Sequence, residues 1–173
     1  MHPGKNETMR KSIFRTGLVW LWVAFLVIVL DRLSKTWMVQ HLIAYEPLQI
    51  LPIFNFTLAY NTGAAFSFLH SAAGWQTLLF SSLALVVSAV IIYWLAKASS
   101  RQWWMSIALT LILGGALGNA WDRWLYGHVI DFLDFHLEGW HFAIFNMADS
   151  AICVGTVMLL LNWMVTSPAN RHS

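Results

Sequence analysis

The chain has 173 residues, 58% of them hydrophobic and only 10% charged, with eleven Trp and a net charge of +2. That balance excludes an ordinary soluble globule and points to an all-α, multi-spanning membrane protein, and the absence of a Pro/Gly/Ser-rich linker keeps residues 1–173 in one domain. The few, scattered positive charges give no basis for a nucleic-acid partner, and a single cysteine, Cys153, rules out a disulfide within the chain.

The first apolar run, Gly17 to Leu30, follows Arg10, Lys11 and Arg15 and so has the outline of a signal peptide. No small-x-small cleavage site follows, and the helical pattern continues through Asp31, Leu33, Trp37 and Val39, so a retained span over about 16–38 is predicted. The connection 39–74 is too long for a turn and too apolar to be fully solvated. Within it, Leu48 to Tyr60 is rich in β-branched and aromatic residues and predicts a small β platform, with Pro52 at an edge. Asn61-Thr62-Gly63 supplies turn chemistry, and Ala64 to Leu69 predicts a short apolar helix in the membrane interface. Three more spans follow at about 75–96, 103–121 and 141–165, each near the ~20 residues that cross a bilayer core.

Lys and Arg set the orientation. Lys5, Arg10, Lys11 and Arg15 precede the first span, Lys97 and Arg101 lie between the second and third, and Arg171 follows the fourth, so these segments are expected in the cytoplasm. The stretch 39–74 lacks Lys and Arg altogether, and 122–140 sets Arg123 against four acids, so both belong outside. Trp residues near the span ends, among them Trp20, Trp37, Trp75, Trp121 and Trp140, fit an aromatic belt.

With that topology the polar residues collect near the outer surface, enclosed by the first, third and fourth spans. Asp31 and Lys35 are four apart and share a helix face, where they can neutralise each other. Asn119, Asp122 and Arg123 stand at the outer end of the third span, Asp131 in the connection after it, and Asn146 and Asp149 in the first turns of the fourth. An ionisable group at membrane depth is costly, and two carboxylates able to face each other can share one proton and activate water without a metal. The seven His lack ligand spacing such as H-E-x-x-H, so no metal site is expected.

Four strings stand in chain order: Asp31-Arg-Leu-Ser-Lys35, Asn61-Thr-Gly-Ala-Ala-Phe66, Gly114-Gly-Ala-Leu-Gly-Asn119 running through Asp122-Arg123 to Gly127-His-Val-Ile-Asp131-Phe, and Phe145-Asn-Met-Ala-Asp149-Ser. Together they resemble the motifs of the lipoprotein signal peptidases (signal peptidase II) of bacteria. The resemblance implies a catalytic dyad of Asp131 and Asp149, supported by Asn61, Asn119, Arg123, Asn146, Asp31 and Lys35. It further implies a prolipoprotein substrate carrying a diacylglyceryl-cysteine, cleavage just before that cysteine, contact with membrane lipid, residence in the bacterial inner membrane and inhibition by the cyclic peptide globomycin. A site enclosed in one bundle needs no second copy, so a monomer is expected. His141-Phe-Ala-Ile stands before Phe145 where many members carry a proline.

Plainer readings compete for the same residues. Asp149 could be a helix cap or the partner of Lys35 or Arg123, Asp131 a solvated loop acid, and Asp31 with Lys35 a structural pair. Gly114 and Gly118 have small-xxx-small spacing that serves close helix packing, and Cys153 is most simply packing too. A membrane serine protease needs a base on the same face as its Ser, and Ser34 next to Lys35 points elsewhere. A transporter would spread polar groups across the bilayer instead of gathering them at one face.

Overall fold

The structure is a computed structural model that describes residues 14–63, 75–138 and 140–166. A single 3-10 turn, Gly17–Trp20, leads into α1 (Leu21–His41). Strands β1 (Pro47–Leu51) and β2 (Phe54–Asn61) precede α2 (Trp75–Lys97) and α3 (Trp103–Tyr126), and β3 (Val129–Leu137) with β4 (Trp140–His141) precedes α4 (Met147–Thr166). Counting the 3-10 turn with α1, four helical segments among the described residues are long and apolar enough to cross a membrane. Their outward faces carry bare apolar side chains, such as Phe25, Leu78, Leu85 and Trp163. In water these faces would aggregate; in a bilayer they are the lipid surface. Cys153 belongs to this exposed surface and not to the packed interior.

The interior is narrow because α3 sits at the centre and touches each of the other three helices. Ala24, Ile91, Leu95, Leu109 and Leu113 form its apolar core. Glycines allow the close approach: a Cβ on Gly114 would meet Ala24 O at 2.8 Å, and one on Gly115 would meet Ala148 O at 2.3 Å. The small-xxx-small reading of Gly114 and Gly118 is therefore correct as packing, with Gly118 set against Asp31 and Ala148.

All non-helical structure groups at the two ends of the bundle. At one end the entry segment pairs with the α2–α3 loop, through Gly17 N–H to Ala98 O (2.9 Å) and Ser100 N–H to Arg15 O (2.9 Å). At the other end the strands form an antiparallel sheet in the order β1-β2-β3-β4. The platform is thus larger than the stretch Leu48 to Tyr60 suggested, because the connection after α3 contributes β3 and β4. Two elements also shift. α3 runs to Tyr126, where Gly127 at φ 75° takes the left-handed position that ends a helix. α4 starts at Met147 and not near 141, since Trp140 and His141 are paired with Leu137 and His136 in the sheet. The predicted interfacial helix at 64–69 lies outside the described residues.

Candidate active site

The first turn of α4 is closed by its own sequence. Asn146 Oδ1 accepts the Asp149 N–H (2.9 Å), and Asp149 Oδ2 accepts the Asn146 N–H (3.2 Å), the reciprocal pair of a capping box. The cap reading and the functional reading of Asp149 are therefore compatible, because the cap holds the carboxylate rigidly at a helix N-terminus, where negative charge is favoured. Its other oxygen, Oδ1, accepts from Asn119 Nδ2 of α3 at 2.7 Å. Asp149 itself is half-buried.

Asp131 is a strand residue, not a solvated loop acid, and it is only 2% exposed. It pairs across the sheet with Ala59 of β2, so Asn61, two residues along, shares its face. Asn61 Nδ2 donates to Asp131 Oδ2 (3.0 Å), and its Oδ1 is fixed by the Gly63 N–H (2.8 Å), with Gly63 at φ 88°. Asp131 Oδ1 accepts from Asn146 Nδ2 (2.7 Å). Asn146 is fully buried and is the hinge of the site: its side chain bonds Asp131, while its backbone N–H and amide oxygen bond Asp149. Burial pushes the Asp131 carboxyl up to about 6, opposed by the Asn61 hydrogen bond and reinforced by the Asp149 charge.

A second cluster lies immediately beneath. Lys35 Nζ donates to Asp31 Oδ2 (2.7 Å) and Asn119 Oδ1 (3.2 Å) and pairs with Asp122 Oδ2 (2.8 Å), which uses all three ammonium hydrogens. Asp122 also pairs with Arg32, and Asp31 Oδ1 accepts the Ala148 N–H (3.1 Å). Two acids and two bases thus cancel where α1, α3 and α4 meet, with Asp31, Lys35 and Asp122 at 0% exposure and Arg32 reaching in from a partly exposed position. Lys35 is hydrogen-bonded to the site above through Asn119, and its charge also acts on Asp131 through space. Arg32 belongs to this cluster without a local sequence signature for its partner: it is a third charge in an apolar span, and Asp122 lies 90 positions away.

Asp134 belongs to the sheet. It accepts from Thr57 Oγ1 (2.8 Å), Asn55 Nδ2 (3.3 Å) and His141 Nδ1 (2.9 Å). Burial raises this carboxyl, yet the His141, Thr57 and Asn55 bonds together outweigh it and hold it below the usual carboxylate range. Arg123 stands over the Phe80 ring at 4.8 Å and reaches Asn119 O at 3.5 Å. It acts on Asp149 and Asp131 through space, with no ion pair to either among the described residues. Of the four buried or half-buried acids beside Asp31, Asp122 is neutralised by cations and Asp134 is occupied by the sheet. Asp131 and Asp149 remain, held by neutral amides and facing each other's charge.

A family model described as signal peptidase (SPase) II matches residues 23–165. The chain belongs to that family. It is 52% identical over 153 residues to a lipoprotein signal peptidase of Coxiella burnetii, covering 88% of this chain and 93% of that one. A lipoprotein signal peptidase of Pseudomonas aeruginosa is 52% identical over 147 residues, with coverage of 84% and 87%. One from Yersinia enterocolitica is 44% identical over 163 residues, with coverage of 94% and 96%. Two solved structures described as bacterial membrane enzymes share the fold at 26% identity. Their TM-scores are 0.75 and 0.76, over 87% and 90% of this chain and 94% and 93% of theirs. This signal peptidase II family member is therefore a multi-pass membrane peptidase whose buried acids lie at the sheet end of its bundle.

Proposed function

We propose that the chain is an intramembrane aspartyl endopeptidase that removes the signal peptide from diacylglyceryl-modified prolipoproteins, cutting just before the lipidated cysteine. The observation that carries this reading is Asn146, one buried side chain that ties Asp131 to Asp149 while every other nearby acid is neutralised or occupied elsewhere. The relatives' names supply the substrate class.

In the proposed reaction Asp131 and Asp149 share one proton, and it is drawn on Asp131, whose carboxyl burial holds up at about 6. A water between them gives a proton to Asp149 as its oxygen attacks the scissile carbonyl, whose oxygen takes the proton of Asp131. The resulting gem-diol collapses when Asp149 returns its proton to the amide nitrogen. The C–N bond breaks, Asp131 recovers a hydroxyl proton, and the products are a carboxylic acid and a free amine on the cysteine. Asn61, Asn119 and Asn146 orient the carboxylates, and Arg123 offsets the developing negative charge.

Positive residues at 15, 97 and 101 support an orientation with the loop end of the bundle in the cytoplasm, both termini inside and the site near the outer face of the bacterial inner membrane. A lipid-anchored substrate then arrives by lateral diffusion. The enclosed site fits a monomer, and globomycin is the expected inhibitor. The test is incubation of purified protein with prolipoprotein, with and without the diacylglyceryl group, followed by mass spectrometry of the new N-terminus. The reading expects EDTA-resistant cleavage before the lipidated cysteine, blocked by globomycin. Cleavage lost to EDTA, or equal cleavage of unlipidated substrate, contradicts it.

A further inference from the structure

Opposite the sheet, α2, α3 and α4 leave a cavity of about 480 Å³ that the proposed peptidase chemistry does not use. It is within the ~300–1,000 Å³ of small-molecule sites. Trp94, Met105, Leu109 and Leu159 make an apolar trough, while Lys97 and Gln102 stand in its lining as the polar groups. Lys97 is exposed and its ammonium lies 5.7 Å from the Tyr93 ring centre, an interfacial anchor for a cation.

The charge around this trough is one-sided. Arg15 and Arg101 are exposed at the same end of the bundle, outside the lining, with Arg101 next in sequence to Gln102 and Arg15 in a segment joined to it by the Ser100 N–H to Arg15 O bond. Of the eight acids in the chain, seven are described, and all seven lie in the sheet-side half; Glu7 lies outside the described residues. Among the described residues, Arg15, Lys97 and Arg101 therefore have no carboxylate at their end of the bundle. A trough for a hydrocarbon chain beneath an uncompensated basic rim has the chemistry of an anionic glycerophospholipid.

We propose that this cavity binds one anionic phospholipid, with an acyl chain along Met105, Leu109 and Leu159 and its phosphate at Lys97, Gln102 and Arg101. The site is independent of the Asp131–Asp149 reading. The experiment is native mass spectrometry of the full chain in detergent with phosphatidylglycerol or phosphatidylcholine added. The expected result is tighter binding of one phosphatidylglycerol, weakened about tenfold in K97A/R101A while phosphatidylcholine is unchanged. M105W, which narrows the trough and keeps both charges, weakens both lipids. Peptidase activity in lipid-free detergent reports the fold of each variant and stays at the wild-type level.

Equal affinity for the two lipids overturns the proposal, as does phosphatidylglycerol binding that ignores K97A/R101A. Equally effective competition by glycerol phosphate, which has no acyl chain, would remove the trough from the account.

Discussion

Two acid clusters sit side by side in this bundle, and they differ in how their charge is balanced. Asp31 and Asp122 are met by Lys35 and Arg32, so the cluster is neutral although both acids and Lys35 are fully buried. Asp131 and Asp149 receive only amide donors, from Asn61, Asn119 and Asn146 and from one backbone N–H. Amides favour ionised carboxylates by hydrogen bonding but bring no positive charge. A cation partner fixes an acid as structure, whereas an amide partner holds its geometry and leaves its proton free to be shared.

Substitutions in each cluster should therefore fail in different ways. The largest effect is expected for Asp131→Asn and Asp149→Asn, which should lower prolipoprotein turnover by 10³-fold or more, about 4 kcal/mol, while the fold survives in thermal melts. Lys35→Met does the opposite: it strands two buried carboxylates and should destabilise the protein by about 3–5 kcal/mol, with activity lost through unfolding. A folded but inactive Lys35→Met would erase the distinction.

Asn146→Ala sits between the clusters. It removes the cap, at about 1 kcal/mol, and frees both acids, so turnover should drop about 10²-fold in protein that still folds. The smallest effect belongs to the sheet: Asp134→Asn should cost about 1 kcal/mol and leave turnover near wild type. Because its hydrogen bonds hold Asp134 low, the stability it adds is present above the ordinary carboxylate range and fades as the pH falls through it. Melting profiles of wild type and Asp134→Asn should converge in acid.

Legibility in the sequence followed the range of the interaction. Spans were readable because ~20 apolar residues suffice to define them, and the Asp31–Lys35 pair because i and i+4 share a face. The start of α4 was misplaced because the apolar Phe142, Ala143 and Ile144 serve an extended segment as well as a helix. The Asn146-x-x-Asp149 spacing carried the true start as a cap signature. Strand β3 is hard to read from sequence because its acids, Asp131 and Asp134, break a clean alternation, and both are satisfied by β2 residues 70 and 77 positions earlier. The Arg32–Asp122 pair is hidden for the same reason.

The central claim, that Asp131 and Asp149 share a proton, is tested most directly by titrating carboxyl-labelled Asp131 in wild type and in Asp149→Asn. The account predicts titration near 6 in wild type, a fall when the Asp149 charge is removed, and an Asp131 contribution to stability that declines as pH rises from about 4 to 6, since the folded state holds the proton longer than the unfolded one. Titration at the ordinary carboxylate value, unmoved by Asp149→Asn, would contradict it.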